Sequence, residues 1–406
     1  MAKIVPFRAL RPTRDKVSLV TSRSYEEYSA AELASQLDFN PLSFLHVLNP
    51  AYTNQQKIPF EKRFKQVHQK YKEFKEEHIL VQDQKPCVYL YKIVSKNHSF
   101  TGIIVGTSVA DYNNNLLKRH EDTLEYRVEL FKDYIKYAGF NTEPVLMTYP
   151  DSIDIARWIA LREENNPDFE FSTTSKDIHY LWKIEDENEI KWLQSVFEET
   201  GDLYIADGHH RSASAALLYE QNKHLDLENL KYFMSFLIAE SNVKIYEYNR
   251  LIKDLNGLSK ENFIIKLSEY FVVEIKPEKI FQPTEKKQFG MYLDGDFYAL
   301  YLKKDKKDFD SILSSLDAQI LYETVLLPIL GIEDLRNDER IEYISGKQSV
   351  LDLKNKVDSA EFEIGFLLFP SNINEIKAIA DAHLIMPPKS TYIEPKFRSG
   401  LMVYEL

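Results

Sequence analysis

Hydrophobic positions fall into two periods along the chain. Phe60, Phe64, Val67, Tyr71 and Phe74 recur at spacings of four and three with Lys and Glu between them, which predicts an amphipathic helix. The run AAELASQL beginning at Ala30 is also helical in pattern; Ser29 serves as N-cap and Glu32, three residues on, completes a capping box. Leu117, His120, Leu124, Val128, Phe131 and Ile135 form a stripe that predicts a long helix over 114–138, closed by Gly139. Further helices are expected at 151–164 and 187–199. Apolar or alternating runs predict a hairpin from 88–94 and 100–105, then strands at 144–149, 181–184, 203–206, 232–239 and 245–251. The stretch 165–174 reads as a loop.

Asn256-Gly257-Leu258 marks a turn and a domain boundary, dividing 1–256 from 257–406. Beyond it the pattern predicts a helix over 260–271, strands at 272–275, 289–293 and 298–302, and a charged hinge at 303–310. A helix at 317–330 ends at Gly331, followed by a strand at 341–344, a helix at 349–356, a strand at 363–369 and a helix at 373–382. The mixture gives a mixed α/β (α+β) class with two lobes.

The chemistry concentrates at Leu203–Leu218, LYIADGHHRSASAALL. An apolar strand runs into a helix through Asp207-Gly208-His209-His210-Arg211, residues of little packing value. Gly at such a junction permits dihedrals closed to other residues, and the helix that follows offers amide hydrogens and a positive dipole end to an anion. Arg211 supplies a planar fork suited to phosphate, and the two imidazoles donate, accept or shuttle protons. The competing reading is a turn with solvated histidines. Gly is scarce, 12 in 406 residues, which weighs against an incidental one at this junction. Alanine at His210 or Arg211 should then remove phosphate affinity with little change in stability.

Two further stretches are candidates. Lys118-Arg119-His120-Glu121 places cations, an imidazole and a carboxylate together, either as a functional cluster or as helix-face salt bridging. The tail from Met386 carries Lys389, Lys396 and Arg398 in a Pro-stiffened loop, either an anion contact or a connection to the last strand.

Composition narrows the class. A net charge of −12 counts against a general nucleic-acid binder. The single Cys87 excludes an internal disulfide and multi-cysteine metal sites. No apolar run reaches membrane-spanning length and the N-terminus lacks a signal-peptide core, so a cytoplasmic location without membrane contact is expected.

At Ala206-Asp207-Gly208-His209-His210-Arg211 the chain resembles a bacterial and archaeal family known as domain of unknown function 1015. The likeness extends to Ile4-Val5-Pro6-Phe7-Arg8, Lys118-Arg119-His120-Glu121 with Thr123, Tyr248-Asn249-Arg250, Met386-Pro387-Pro388-Lys389-Ser390-Thr391 and Ser399-Gly400-Leu401. The same turn is similar to the phosphate-binding turn of the ParB/sulfiredoxin superfamily, whose free-serine kinases carry the identical string. Sulfiredoxins place a catalytic Cys where this chain has His209, so sulfinic-acid repair is not implied.

The resemblance implies that 1–256 is a ParB/sulfiredoxin-like phosphate- or nucleotide-binding lobe and 257–406 an α+β lobe whose tail returns to the site. It implies an ATP- or ADP-dependent, Mg2+-assisted phosphotransferase acting on a small hydroxyl metabolite, with free L-serine the leading substrate. A phosphoserine-type phosphatase and a ParB-like nucleotide-gated regulator are the alternatives, and a homodimer stays open. Gly208, His210, Arg211, Lys118, Arg119, His120 and Lys389 would hold the nucleotide. Asp207, His209, His210 and Glu121 would serve catalysis, with Asp207 also the metal ligand. The N-terminal glutamate base of such kinases has three counterparts here, Glu26, Glu27 and Glu32.

Overall fold

The computed structural model describes residues 2–49, 59–277, 279–305 and 309–406, with the side chain of Glu26 also outside the description. The charged stretch at 303–310 therefore falls partly outside it. The fold is mixed α/β with several sheets, and it divides into two compact units. The first comprises Met1–Lys118, Thr123–Val243 and Pro395–Leu406; the second comprises Arg119–Asp122 and Lys244–Glu394. Among the described residues no helix is long and apolar enough to cross a membrane.

The first unit is built on a nine-stranded sheet. Its path runs Leu117–Lys118, Leu203–Asp207, Val145–Tyr149, Tyr232–Ala239, Ser99–Ser108, Val88–Val94, Ile178–Ile184, Phe169–Ser172, and Ile4–Val5 pairs with Ser99–Ser108. The predicted hairpin forms, in register from Tyr89↔Ile104 to Val94↔Ser99. The central strands are buried along most of their length, as in a sheet covered on both faces. Leu90, Ile103, Val105, Val145, Met147, Leu203, Ile205 and Leu237 lie in one buried cluster. Each such side chain contributes about 1.5–3 kcal/mol on burial.

The capping box of Ser29 and Glu32 is present. The Phe60–Glu76 helix buries Phe64, Val67, Tyr71 and Phe74, whereas Phe60 stays exposed. Phe169–Ser172, within the stretch read as a loop, is a strand paired with Ile178–Ile184. Its alternation of buried Phe with exposed Glu and Ser lasts four residues and follows the turn-forming Asn-Asn-Pro-Asp.

The long helix over 114–138 does not form. The chain makes a short helix at Val109–Asn113, the strand Leu117–Lys118, and a helix at Glu125–Ala138. Asn115 enters the left-handed region at φ +57°, a conformation that ends helices and that Asn tolerates. Leu117 and Lys118 are then claimed by parallel pairing with Leu203 and Tyr204. Lys118–Glu121 consequently share no helix face. Gly139, at φ +79°, closes the shorter helix as anticipated.

The second unit contains an antiparallel sheet in the order Phe271–Lys276, Asp296–Leu302, Gln288–Leu293, Ile364–Leu367, Lys244–Ile252, Ile341–Ser345. Thr391–Glu394, in the tail read as a loop, pairs with the first half of Lys244–Ile252. The helix expected over 260–271 stops at Leu267, because Phe271 begins a strand against Leu302. The helix beginning at Asp317 passes into a wider π turn at Tyr322–Leu326, and Gly331 follows at φ +65°.

Candidate functional site

The Leu203–Asp207 strand is buried until its last residue. It runs antiparallel to Val145–Tyr149 with a bulge between Ile205 and Asp207, which re-aims the strand end. Gly208 then takes φ +99°, ψ +28° and starts the 14-residue helix His209–Asn222. A Cβ at Gly208 would meet the Arg211 Nε at 3.0 Å. Glycine is therefore needed twice, for the backbone conformation and for the guanidinium lying over it. No side chain caps this helix.

Asp207 is the hub. Its Oδ2 accepts from Arg211 Nη2 at 2.5 Å and its Oδ1 from Lys396 Nζ at 2.8 Å. Arg211 Nη1 also donates to the Pro144 carbonyl at 2.6 Å, and Glu143 Oε2 lies 3.8 Å away. Glu143 in turn accepts from Ser399 Oγ at 2.7 Å. Burial would raise the Asp207 pKa, but Lys396 and then Arg211 outweigh it and hold the carboxyl well below its usual range. Asp207 is thus a fixed anion with both oxygens engaged. That makes it a weak proton acceptor and a better organiser of cations.

The two histidines differ. His209 is buried, 2% exposed. His210 is half-buried, and its Nε2 accepts from the Leu124 amide at 3.1 Å. Leu124 is the N-cap of the Glu125–Ala138 helix, and Ser214 Oγ donates to the Val128 carbonyl at 3.0 Å. These bonds pin the two helices together, and an accepting Nε2 leaves any ring proton of a neutral His210 on Nδ1.

The other sequence-predicted residues are distributed between the units. Lys118 pairs alongside Tyr204 and its Nζ lies 3.5 Å from Asp202. Arg119, His120 and Glu121 belong to the second unit, where the His120 carbonyl accepts from the Met386 amide at 2.9 Å. Lys389, exposed and at φ +54°, belongs to the same unit; its Nζ lies 5.2 Å from the Tyr248 ring centroid. Glu32 is engaged by the Ser29 cap and by Arg23 at 3.0 Å. Lys396 was visible in the sequence only as one cation of a basic tail, and Glu143 and Pro144 carried no signal. Among the described residues no group of three or more His, Cys, Asp or Glu side chains is placed to hold a metal ion.

A family model described as protein of unknown function (DUF1015) matches residues 4–319. No curated protein matches the chain. Among solved structures, a free serine kinase in complex with AMP is 16% identical and has a TM-score of 0.38, covering 75% of this chain and 91% of its own. A conserved hypothetical protein from Pyrococcus furiosus is 12% identical, TM-score 0.33, covering 75% and 94%. SbnI from Staphylococcus aureus with a C-terminal truncation is 15% identical, TM-score 0.37, covering 72% and 82%. Likenesses at these scores carry no weight on chemistry.

Proposed function

The chain belongs to the DUF1015 family, whose activity is not defined, and we propose from its site that it is a nucleotide-dependent phosphotransferase acting on a small hydroxyl metabolite, with L-serine the first substrate to test. The observation that carries this reading is the pairing of an uncapped helix N-terminus with two cations, Arg211 and Lys396, that share the single carboxylate of Asp207. Amides of a first helical turn lack intrahelical acceptors and point outward, so phosphate oxygens are matched by geometry and by charge.

Phosphoryl transfer is mostly positioning and charge neutralisation. In this reading the first-turn amides and Lys396 hold phosphate oxygens. Arg211 is kept in place by Asp207 and the Pro144 carbonyl, and Asp207 orders both cations. Its two oxygens are already ion-paired, so a Mg2+ ion would be held by the nucleotide phosphates and would not need Asp207 as a ligand. His209, beside the turn, is the candidate for proton transfer.

The test is direct. Purified protein with Mg2+, L-serine and ATP or ADP should yield phosphoserine, and calorimetry should detect nucleotide binding below millimolar concentration. Absence of nucleotide binding at millimolar concentration ends the kinase reading. Hydrolysis of phosphoserine with no nucleotide present would replace it with a phosphatase.

A further inference from the structure

Residues 396–398 tie three places in the first unit together. Lys396 meets Asp207. The Phe397 ring packs 5.1 Å from Tyr91 and 6.1 Å from Phe236. Arg398 donates from Nε to Thr21 Oγ1 at 3.1 Å and from Nη2 to the Thr21 carbonyl at 2.7 Å. A reciprocal backbone bridge, Ser22 N to Ser399 O at 3.0 Å and back at 2.9 Å, fixes this seat.

Arg398 has no ion-pair partner among the described residues, and its Nη1 makes no hydrogen bond there. Its neighbour in charge is Arg23, which is neutralised by Glu32 at 3.0 Å and lies 4.3 Å from the Tyr28 ring centroid. Burial, opposed by Tyr91, Tyr28 and the carboxylate of Asp177 and reinforced by the like charge of Arg23, lowers the Arg398 pKa. A buried histidine feels the charge of Arg398. His179, 3% exposed, meets the Tyr91 hydroxyl through Nδ1 at 2.8 Å, and its Nε2 has no hydrogen-bond partner among the described residues. A half-buried guanidinium that no carboxylate pairs with among the described residues suits a monoanion presented to a planar fork. Lys396 and Arg398 are two residues apart, so their Cα atoms lie within about 7.6 Å, roughly the span of a three-carbon acid with a phosphate at its far end.

We infer that Arg398 binds the carboxylate of the substrate, which is therefore a small hydroxy or amino acid whose hydroxyl end is directed toward Lys396 and Asp207. This rests on the phosphotransferase reading for the role of the Asp207 end, but the carboxylate seat is testable without turnover. O-phospho-L-serine and phosphoethanolamine share the phosphate and the ammonium and differ in the carboxylate. Calorimetry on the full chain should show phosphoserine binding at least tenfold more tightly. Arg398→Gln should weaken phosphoserine about 10- to 100-fold while leaving phosphoethanolamine and nucleotide within twofold.

Equal affinity of the two ligands for the wild type, equal weakening of both in the variant, or failure of phosphoserine to bind at millimolar concentration overturns the assignment. Should Arg398→Gln not fold, Arg398→Lys retains the charge but not the fork, and it too must lose the preference for phosphoserine. Loss of nucleotide binding with the Arg398-dependent preference intact would sink the kinase and spare the carboxylate seat. Nucleotide binding without that preference would do the reverse.

Discussion

Gly208 has little freedom to change. At φ +99°, with the Arg211 guanidinium over its α-carbon, alanine adds backbone strain and pushes Arg211 away from Asp207. We expect Gly208→Ala to cost about 1–2 kcal/mol in thermal unfolding and to reduce nucleotide affinity at least tenfold. Lys396→Met should remove one of the two cations holding Asp207 ionised. Its affinity for phosphate ligands should fall while melting changes little, the mark of a ligand contact and not a strut. His210 behaves otherwise. The sequence suggested that alanine there would leave stability nearly untouched, but the Leu124 amide loses its acceptor, and an unsatisfied amide costs about 1–3 kcal/mol. A melting temperature unchanged in His210→Ala would contradict this bond. Residue types at the turn were legible because strand, Gly and helix are contiguous in sequence. The partners Lys396, Pro144 and Glu143 were not, because tertiary contact alone brings them in.

Among elements, periodicity told strand from helix wherever a segment was long. It gave the Glu187–Glu199 helix and the Tyr232–Ala239 strand at their observed bounds. It failed at 114–138, where three consecutive asparagines precede the apolar stripe and strand pairing of Leu117 and Lys118 wins over helical spacing. It failed again at Phe169–Ser172, too short to show its alternation. The strand pair carrying Tyr91 and His179 sets a pH dependence. Burial, with Arg398 adding to it, pushes the His179 pKa from 6.5 down to about 3. The native state refuses a proton that the unfolded chain accepts. Stability is thus complete above about pH 6.5 and declines as pH falls toward 3, by on the order of a few kcal/mol. Urea midpoints between pH 7 and 4 should show this slope, and His179→Gln should flatten it.

At the scale of the whole molecule, the chain's divisions do not follow sequence order. The first unit is interrupted after Val243 and resumes at Pro395, a return for which composition holds no sign beyond the Pro-rich approach. Each unit has its own core, the second around Ile252, Leu267, Met291, Leu300, Leu321 and Phe366. It also carries its own titration. Asp317, 2% exposed, is pushed up to about 6 by burial, against the pull of Lys286 and the Lys287 amide. A raised carboxyl weakens the fold as pH rises from 3.8 through 6, so Asp317→Asn should stabilise the second unit at pH 7 by about 1–3 kcal/mol and give no gain at pH 4. Equal effects at both pH values would show that the buried charge is not the cause.

Lys396 and Arg398 lie beyond the whole of the second unit along the chain, although they complete the first. During synthesis at about 5–20 residues per second, the ribosome delivers Asp207 and Gly208 roughly ten to forty seconds before these cations emerge. A nascent chain therefore displays its glycine turn with Asp207 paired to Arg211 alone, one cation short of the finished site. Full-strength ligand capture, and any ligand-assisted folding of this region, has to await residues 396–398.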